Sequence, residues 1–234
     1  MTNINQSKIK KATKVFNSVF NKYDIMNDLM SLGIHRLWKQ RLIEWMNPKK
    51  NDHLIDMATG TGDIASAFLK RIKNQGNVTC VDPNKNMLEQ GKKKLEYLNN
   101  IHWHISSAES LPFEENIFDI YSVSFGVRNF SNTKKALKEA HRVLKRGGRF
   151  ICLEFSKVEN EILNKAYKTY SKTIPMLGKY IVGEEEPYNY LIKTIDEFYG
   201  QDAFKKIIED SGFSNVEYRN LSGGIVAIHS GWKI

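Results

Sequence analysis

Two acids and a pair of glycines, set at fixed intervals, are the residues in this sequence best able to hold a small charged ligand. Asp56 ends the apolar run Leu54-Ile55, and Thr59-Gly60-Thr61-Gly62 follows it. Asp82 ends a second apolar run, Asn77 to Val81. Glycine has no Cβ, so Gly60 and Gly62 let backbone approach a ligand closely. An acid at the end of the second strand can take both hydroxyls of a ribose. A nucleoside cofactor is the first expectation. The spacing Gly60-x-Gly62-x-x-Ala65 also satisfies the dinucleotide fingerprint, whose last position accepts alanine. Asp56 decides between the two. At the end of the first strand it can receive an ammonium, which S-adenosylmethionine carries, whereas it would repel a pyrophosphate.

The elements that must position these groups follow from periodicity. The run into Gly60 and the pattern Ile64, Ala65, Phe68, Ile72 read as strand, tight turn and helix. After Asp82, a helix is expected from Asn84 to Leu98, then a strand over Ile101 to Ile105 and a fourth over Phe118 to Ser124. Ser131 or Asn132 can cap a helix that stops at Gly147-Gly148, and Arg149 to Phe155 is a fifth, strongly apolar strand. Repeated βα units predict an open, mostly parallel sheet covered on both faces. The chain then gives a helix (Ala203 to Ser211) and strands over Asn215 to Leu221 and Gly224 to Trp232. Ser222-Gly223 joins these strands as an antiparallel hairpin. The expected architecture is α/β: a Rossmann-like, seven-stranded class I methyltransferase sheet. Residues 1–50 form an N-terminal helical cap and 51–157 the cofactor-binding core. Residues 158–200 form a helical insertion on the substrate side, and 201–234 the helix and hairpin that complete the sheet.

Within the cap, Lys8 to Phe20 reads as a basic amphipathic helix that can lie on a membrane surface or pack on its own domain. A short helix, a break at Ser31 to Gly33 and a second helix to about Met46 follow. The density of Tyr, Asn, His and Trp there suits a lid over a flat organic substrate. The 234 residues carry a formal net charge of +9, which favours an anionic partner, phospholipid or nucleic acid, unless it reflects a lysine-rich proteome. No apolar run reaches the roughly 18 residues that span a bilayer, and no secretory signal is evident. Cys80 and Cys152 fall in predicted strands and read as buried reduced thiols of a cytosolic protein.

The stretch Tyr23-Asp24-x-Met26-Asn27, with Ser31, His35 and Trp38 beyond it, resembles the N-terminal signature of the ubiquinone/menaquinone biosynthesis C-methyltransferases. Ser124-Phe125-Gly126-Val127-Arg128-Asn129, His141 to Arg149, Leu153 to Lys157, Tyr188-x-Tyr190-Leu191 and Gly224 to Lys233 extend the resemblance over most of the chain. The resemblance implies cofactor contacts at Thr61 in the turn, Asp82 on the ribose, Ser107 and Ala108 at the adenine, and Ser124 near the methionine end. Two positions depart from the family pattern. Thr59 replaces the usual glycine, and its β-branch requires an ordinary φ there. Ser107 stands where Asn or Asp is commoner, giving less reach to the adenine amine.

The resemblance also implies the substrate, a ring carbon of a polyprenylated benzoquinol or naphthoquinol. The residues agree in part. Methyltransferases of exocyclic amines place Asn or Asp, two prolines and an aromatic after strand four, and this chain has Ser124-Phe125-Gly126 there. Carbon methylation requires a neighbouring hydroxyl made phenolate-like, then loss of the ring proton. The sulfonium brings its own leaving group, so no metal is expected. Arg128 and Asn129 are the candidates for holding the quinol oxygen, with Arg128 a permanent charge and not the base. Arg128 in a salt bridge that holds its loop is the competing reading. Tyr23, His35 and His229 are candidate proton acceptors or hydrogen-bonding groups. Expected partners are the quinol, a membrane surface touched peripherally from the cytoplasm, and a homodimer or a quinone-biosynthesis complex; no nucleic acid is expected. A methyltransferase of RNA or of another small aromatic is the alternative. A short-chain dehydrogenase is disfavoured, because no tyrosine has lysine four residues on.

Overall fold

A computed structural model describes residue 28, residues 31–183 and residues 185–234. The expected basic helix over Lys8 to Phe20 and the candidate Tyr23 lie outside the described residues. The elements run α1 (His35–Met46), β1 (His53–Met57), α2 (Asp63–Arg71), β2 (Asn77–Asp82), α3 (Lys85–Lys94), β3 (Ile101–Ile105) and β4 (Phe118–Ser124). A 3-10 turn (Val127–Asn129) leads to α4 (Thr133–Val143) and β5 (Leu144–Phe155). Then follow α5 (Glu161–Val182), α6 (Glu186–Glu197), α7 (Gln201–Glu209), β6 (Ser214–Leu221) and β7 (Val226–Trp232).

The seven strands form one sheet in the order β3-β2-β1-β4-β5-β7-β6. Strands β1 to β5 are parallel, and β7 pairs antiparallel with both β5 and β6. Alternation along the strands builds two cores. Leu54, Ile120 and Ile151 face Trp38 and Leu42 of α1, Phe68 of α2 and Leu191 of α6. Ile55, Tyr121 and Phe150 face Leu137 and Ala140 of α4 and Phe204 of α7. Both cysteines are buried free thiols in this sheet. The order reverses beside β1, between β1 and β4, and that crevice is where such folds take ligands.

Several boundaries differ from the sequence reading, among them that of α7, expected over Ala203 to Ser211 and found over Gln201–Glu209. The helix after Asp82 ends at Lys94, and Leu95 turns in to pack beside Trp103 over Gly62. Helix α4 ends at Val143, well before Gly147-Gly148, and β5 starts at Leu144. The two glycines lie inside an irregular strand, where Gly147 N–H donates to the Lys233 carbonyl and Lys233 N–H to that of Gly148. Strand β7 starts at Val226, after Ser222, Gly223 and Gly224, which all have positive φ and form the turn. Asn132 is the cap of α4, accepting from Lys135 N–H.

Helices α5 and α6 fill the segment between β5 and α7 and meet at a glycine. A Cβ on Gly178 would lie 2.3 Å from the ring of Tyr188, a fully buried side chain. Gly178→Ala is expected to cost about 1–3 kcal/mol through this overpacking. A scanning-calorimetry midpoint within a degree of wild type would show that the helices separate freely.

Candidate active site

The turn after β1 is held by its own acids. Asp56 is 1% exposed and accepts hydrogen bonds from Thr59 Oγ1 (2.6 Å) and Ser122 Oγ (2.7 Å). Asp82 accepts from Gly60 N–H (3.0 Å) and Asn84 N–H (2.8 Å), so it ties β2 to the glycine turn and to the start of α3. Each carboxylate keeps lone pairs beyond these bonds. Burial is the largest influence on both and pushes each pKa up to about 6.

Backbone conformation around the crevice is unusual at two non-glycine residues. Ala58, just past β1, and Phe125, just past β4, have φ of 53° and 56°. Such residues cluster at ligand sites, where surrounding structure holds them in place. A Cβ on Gly126 would sit 2.5 Å from that of Ala58, so the two strand ends come close only because position 126 is glycine. Thr59 keeps an ordinary φ, as its β-branch requires, and the left-handed positions fall to Ala58 and Gly60. The glycines divide their work. A Cβ on Gly62 would meet Leu95 at 2.7 Å and Trp103 at 3.0 Å, so Gly62 serves packing; at Gly60 only the Met87 methyl is near, at 3.3 Å.

A small cavity at this corner is lined by Asp56, Thr61, Ser124 and Phe125, together with Lys39 of α1 and Asp63 of α2. Ser124 Oγ is buried there without a hydrogen-bond partner among the described residues. Asp63 accepts from Lys39 Nζ (2.7 Å) and Lys94 Nζ (2.6 Å), and these ammonium groups hold its carboxyl below the usual range against burial. The structure therefore gathers Asp56, Thr61 and Ser124 in one cavity with Gly60 and Asp82 alongside. Ser107 and Ala108 follow the end of β3, and Ala108 is buried in the β1–β4 core. Sequence reasoning missed Lys39 and Asp63; lysine at mid-helix carried no signal of its ion pair.

Beyond β4, Arg128 is 6% exposed and forms an ion pair with Glu154 of β5 (Nη1 to Oε1, 2.7 Å). Its Nη1 also donates to the Phe125 carbonyl, and its guanidinium lies 5.5 Å from the Phe155 ring centroid. Its Nε–H is buried with no acceptor among the described residues. Asn129 Oδ1 accepts from Tyr190 Oη (3.0 Å) of α6. Glu154 escaped the sequence reading because it sits in an otherwise apolar strand.

A larger cavity of about 410 Å³ lies between α5, α6 and the end of β5, with Ser156, Tyr167, Ser171, Ile192 and Ile195 among its lining residues. Ser156 Oγ is buried there without a partner among the described residues. Burial raises the Tyr167 phenol to about 12, and the charge of Arg128 acts against that rise in both Tyr167 and Tyr190. Both phenols are nonetheless raised, because burial outweighs the arginine.

His35 is buried at the start of α1 with Nδ1 3.0 Å from Ser31 Oγ, and burial lowers its pKa. His229 is away from the crevice, its Nε2 3.0 Å from the Gln201 carbonyl and its ring between Phe204 and Tyr218. Burial drops its pKa to about 4, the signature of a packed imidazole.

The raised carboxyls give a pH prediction. A carboxyl whose folded pKa exceeds its unfolded value contributes stability that is full below the unfolded value and lost as pH rises through about 6. Histidines with lowered pKa act with the opposite sign over the same range. The readout is therefore the difference between wild type and Asp56→Asn: their melting points should converge as pH falls from 7.5 to 4.5. Parallel profiles would refute the assignment.

The whole chain matches a known family. Residues 1–233 fit the model of the "ubiE/COQ5 methyltransferase family". This chain belongs to that family. The UbiE/COQ5 assignment is supported by the ubiquinone/menaquinone biosynthesis C-methyltransferase UbiE of Rickettsia bellii. That relative is 48% identical, covering 100% of this chain and 99% of the relative. The mitochondrial 2-methoxy-6-polyprenyl-1,4-benzoquinol methylase of Bos taurus is 44% identical over 96% of this chain and 79% of its own length. Among solved structures, an S-adenosylmethionine-dependent methyltransferase from Aquifex aeolicus shares the fold with a TM-score of 0.63. Its identity is 18%, over 84% of this chain and 89% of that one. A phosphoethanolamine N-methyltransferase from Haemonchus contortus, solved with S-adenosylhomocysteine, also gives 0.63 at 14% identity, over 84% of this chain and 52% of that one. The Rossmann-like methyltransferase sheet expected from the sequence is the one this UbiE/COQ5 member has.

Proposed function

We propose that the chain is an S-adenosylmethionine-dependent C-methyltransferase acting on a polyprenylated quinol, 2-methoxy-6-polyprenyl-1,4-benzoquinol, demethylmenaquinol or both. The observation that carries this reading is Arg128: a buried guanidinium past β4, ion-paired with Glu154, whose Nε–H has no acceptor among the described residues.

The cofactor fits the residues present. Asp82 has lone pairs left for a ribose, and the orphaned Ser124 Oγ faces the same corner as Asp56 and Thr61. Ser107 and Ala108, just past β3, are the candidates for the adenine contact. S-adenosylmethionine supplies the electrophilic methyl and the thioether leaving group. The chain's residues do the rest. Arg128 stabilises the quinol oxygen as it gains charge, without itself exchanging a proton. Tyr190 donates to Asn129 Oδ1, which fixes the amide and leaves its Nδ2 protons for the same oxygen. Alignment of the ring carbon with the methyl supplies much of the remaining rate. His35, whose burial lowers its pKa, and Tyr23 are candidates for taking the ring proton.

A basic chain that works on a lipid-tailed ring is also expected to touch a membrane peripherally. Among the described residues no helix is long and apolar enough to cross one. Transfer of labelled methyl to extracted quinol precursors, with mass spectrometry locating the label on a ring carbon, tests the assignment. No ring label, or labelling of RNA with a steep salt dependence of binding, would overturn it.

A further inference from the structure

Helix α5 exposes one continuous uncharged stripe. Ile162, Ala166, Thr169, Thr173, Met176 and Tyr180 are all exposed and, at three- and four-residue steps, stack along one face. Ile162 is 82%, Met176 67% and Tyr180 92% exposed. The stripe runs for about 27 Å at 1.5 Å per residue. Along one flank stand Lys165, Lys168, Lys172 and Lys179, with Glu161 the acid on that side at the first turn. The opposite face is fixed to the domain: Ser171 and Ile174 are buried, Gly178 meets Tyr188, and Leu163 lies over Gly223. The helix is thus held by one side and presents the other.

We infer that this face of α5 docks on a bilayer surface containing anionic phospholipid. A stripe of apolar and small hydroxyl side chains beside a row of lysines is the pattern of a helix lying in the interface plane. Four cations against one acid on the flank, in a chain of net charge +9, select an anionic surface. The cavity beneath supplies continuity. Lys168 and Lys172 belong both to the lysine flank and to the lining of the 410 Å³ cavity, so the cavity borders the proposed docking face. On the proposed function, on which this point rests, a lipid-tailed quinol then reaches the site without its tail crossing water.

The experiment compares wild type with Ile162→Glu/Met176→Glu/Tyr180→Glu, and with the serine triple at the same positions in case the glutamates disturb folding. Co-sedimentation uses phosphatidylcholine vesicles with and without phosphatidylglycerol. Wild type should bind the anionic vesicles, more weakly as salt rises, and the bound fraction of both triples should fall at least tenfold. Methylation of a short-tailed, water-soluble quinol should stay within twofold, while that of a long-tailed quinol in vesicles falls at least tenfold. Vesicle binding equal in wild type and both triples overturns the inference. So does a solution dimer that the triples split, since a second copy would then cover the stripe. Vesicle binding with no methylation of either quinol upholds the docking face and defeats only the substrate assignment.

Discussion

Glu154→Ala should lower stability by about 3–5 kcal/mol, the loss expected when one partner of a buried ion pair is removed. Glu154 is 1% exposed and accepts from Arg128 Nη1 (2.7 Å), Arg128 N–H (3.3 Å) and Phe155 N–H (2.9 Å). Truncation leaves a buried guanidinium with no counter-charge and two backbone donors without an acceptor. An exposed pair such as Lys193–Glu197 is worth under about 1 kcal/mol by comparison. At roughly 2–4 °C per kcal/mol for a chain of this size, the calorimetric midpoint should fall by at least about 6 °C. Removing both charges together is a different experiment. Arg128→Met/Glu154→Leu should recover part of the lost stability, because neither ion then needs to be desolvated although the two backbone donors stay unpaired, and methyl transfer should be abolished. A double variant that methylates normally would reduce Arg128 to a loop fastener. Arg128→Lys sharpens the point: turnover should fall while cofactor affinity stays near normal, and equal loss of both would mark a structural role.

Asp82→Asn should weaken cofactor binding about 100-fold or more, measured by titration calorimetry. Two charge-assisted hydrogen bonds to a ribose are lost at about 1.5–3 kcal/mol each. The asparagine also brings one acceptor to a place where Gly60 N–H and Asn84 N–H each use an oxygen. Its amide nitrogen must oppose one of those donors, so the turn that carries Thr61 loosens as well. Circular dichroism should show an intact fold. Affinity within threefold of wild type would mean that the acid serves the turn alone.

The fold was legible wherever burial on both faces wrote an apolar run, as in Leu54-Ile55 and Phe150 to Leu153. It was less legible where side-chain pattern and backbone pairing disagree. Leu144 continues the helical spacing of α4, yet it pairs with Phe118 as the first residue of β5. The cofactor corner could be read because Asp56, Gly60 and Asp82 sit at strand ends fixed by local sequence. Its long-range supports could not. Lys39 reaches Asp63, Glu154 reaches Arg128, and Glu109 gathers Ser131 and Asn132 with one oxygen. Nothing in a linear chain announces such partners. The glycine turn shows the same limit: its pattern suggested two residues cleared for a ligand, whereas Gly62 is cleared for Trp103 and Leu95.

The strand order carries a consequence for how the molecule assembles. Among the described residues strand β6 pairs only with β7, and β7 must first seat against β5, where Phe155 meets Val226 and Arg149 meets Trp232. Until it does, Phe150, Ile151, Cys152 and Leu153 border an open edge that another nascent chain can add to. So distant a pairing closes slowly. Refolding is therefore expected to be limited by arrival of the penultimate strand of the sheet, with clumping confined to the interval before it lands.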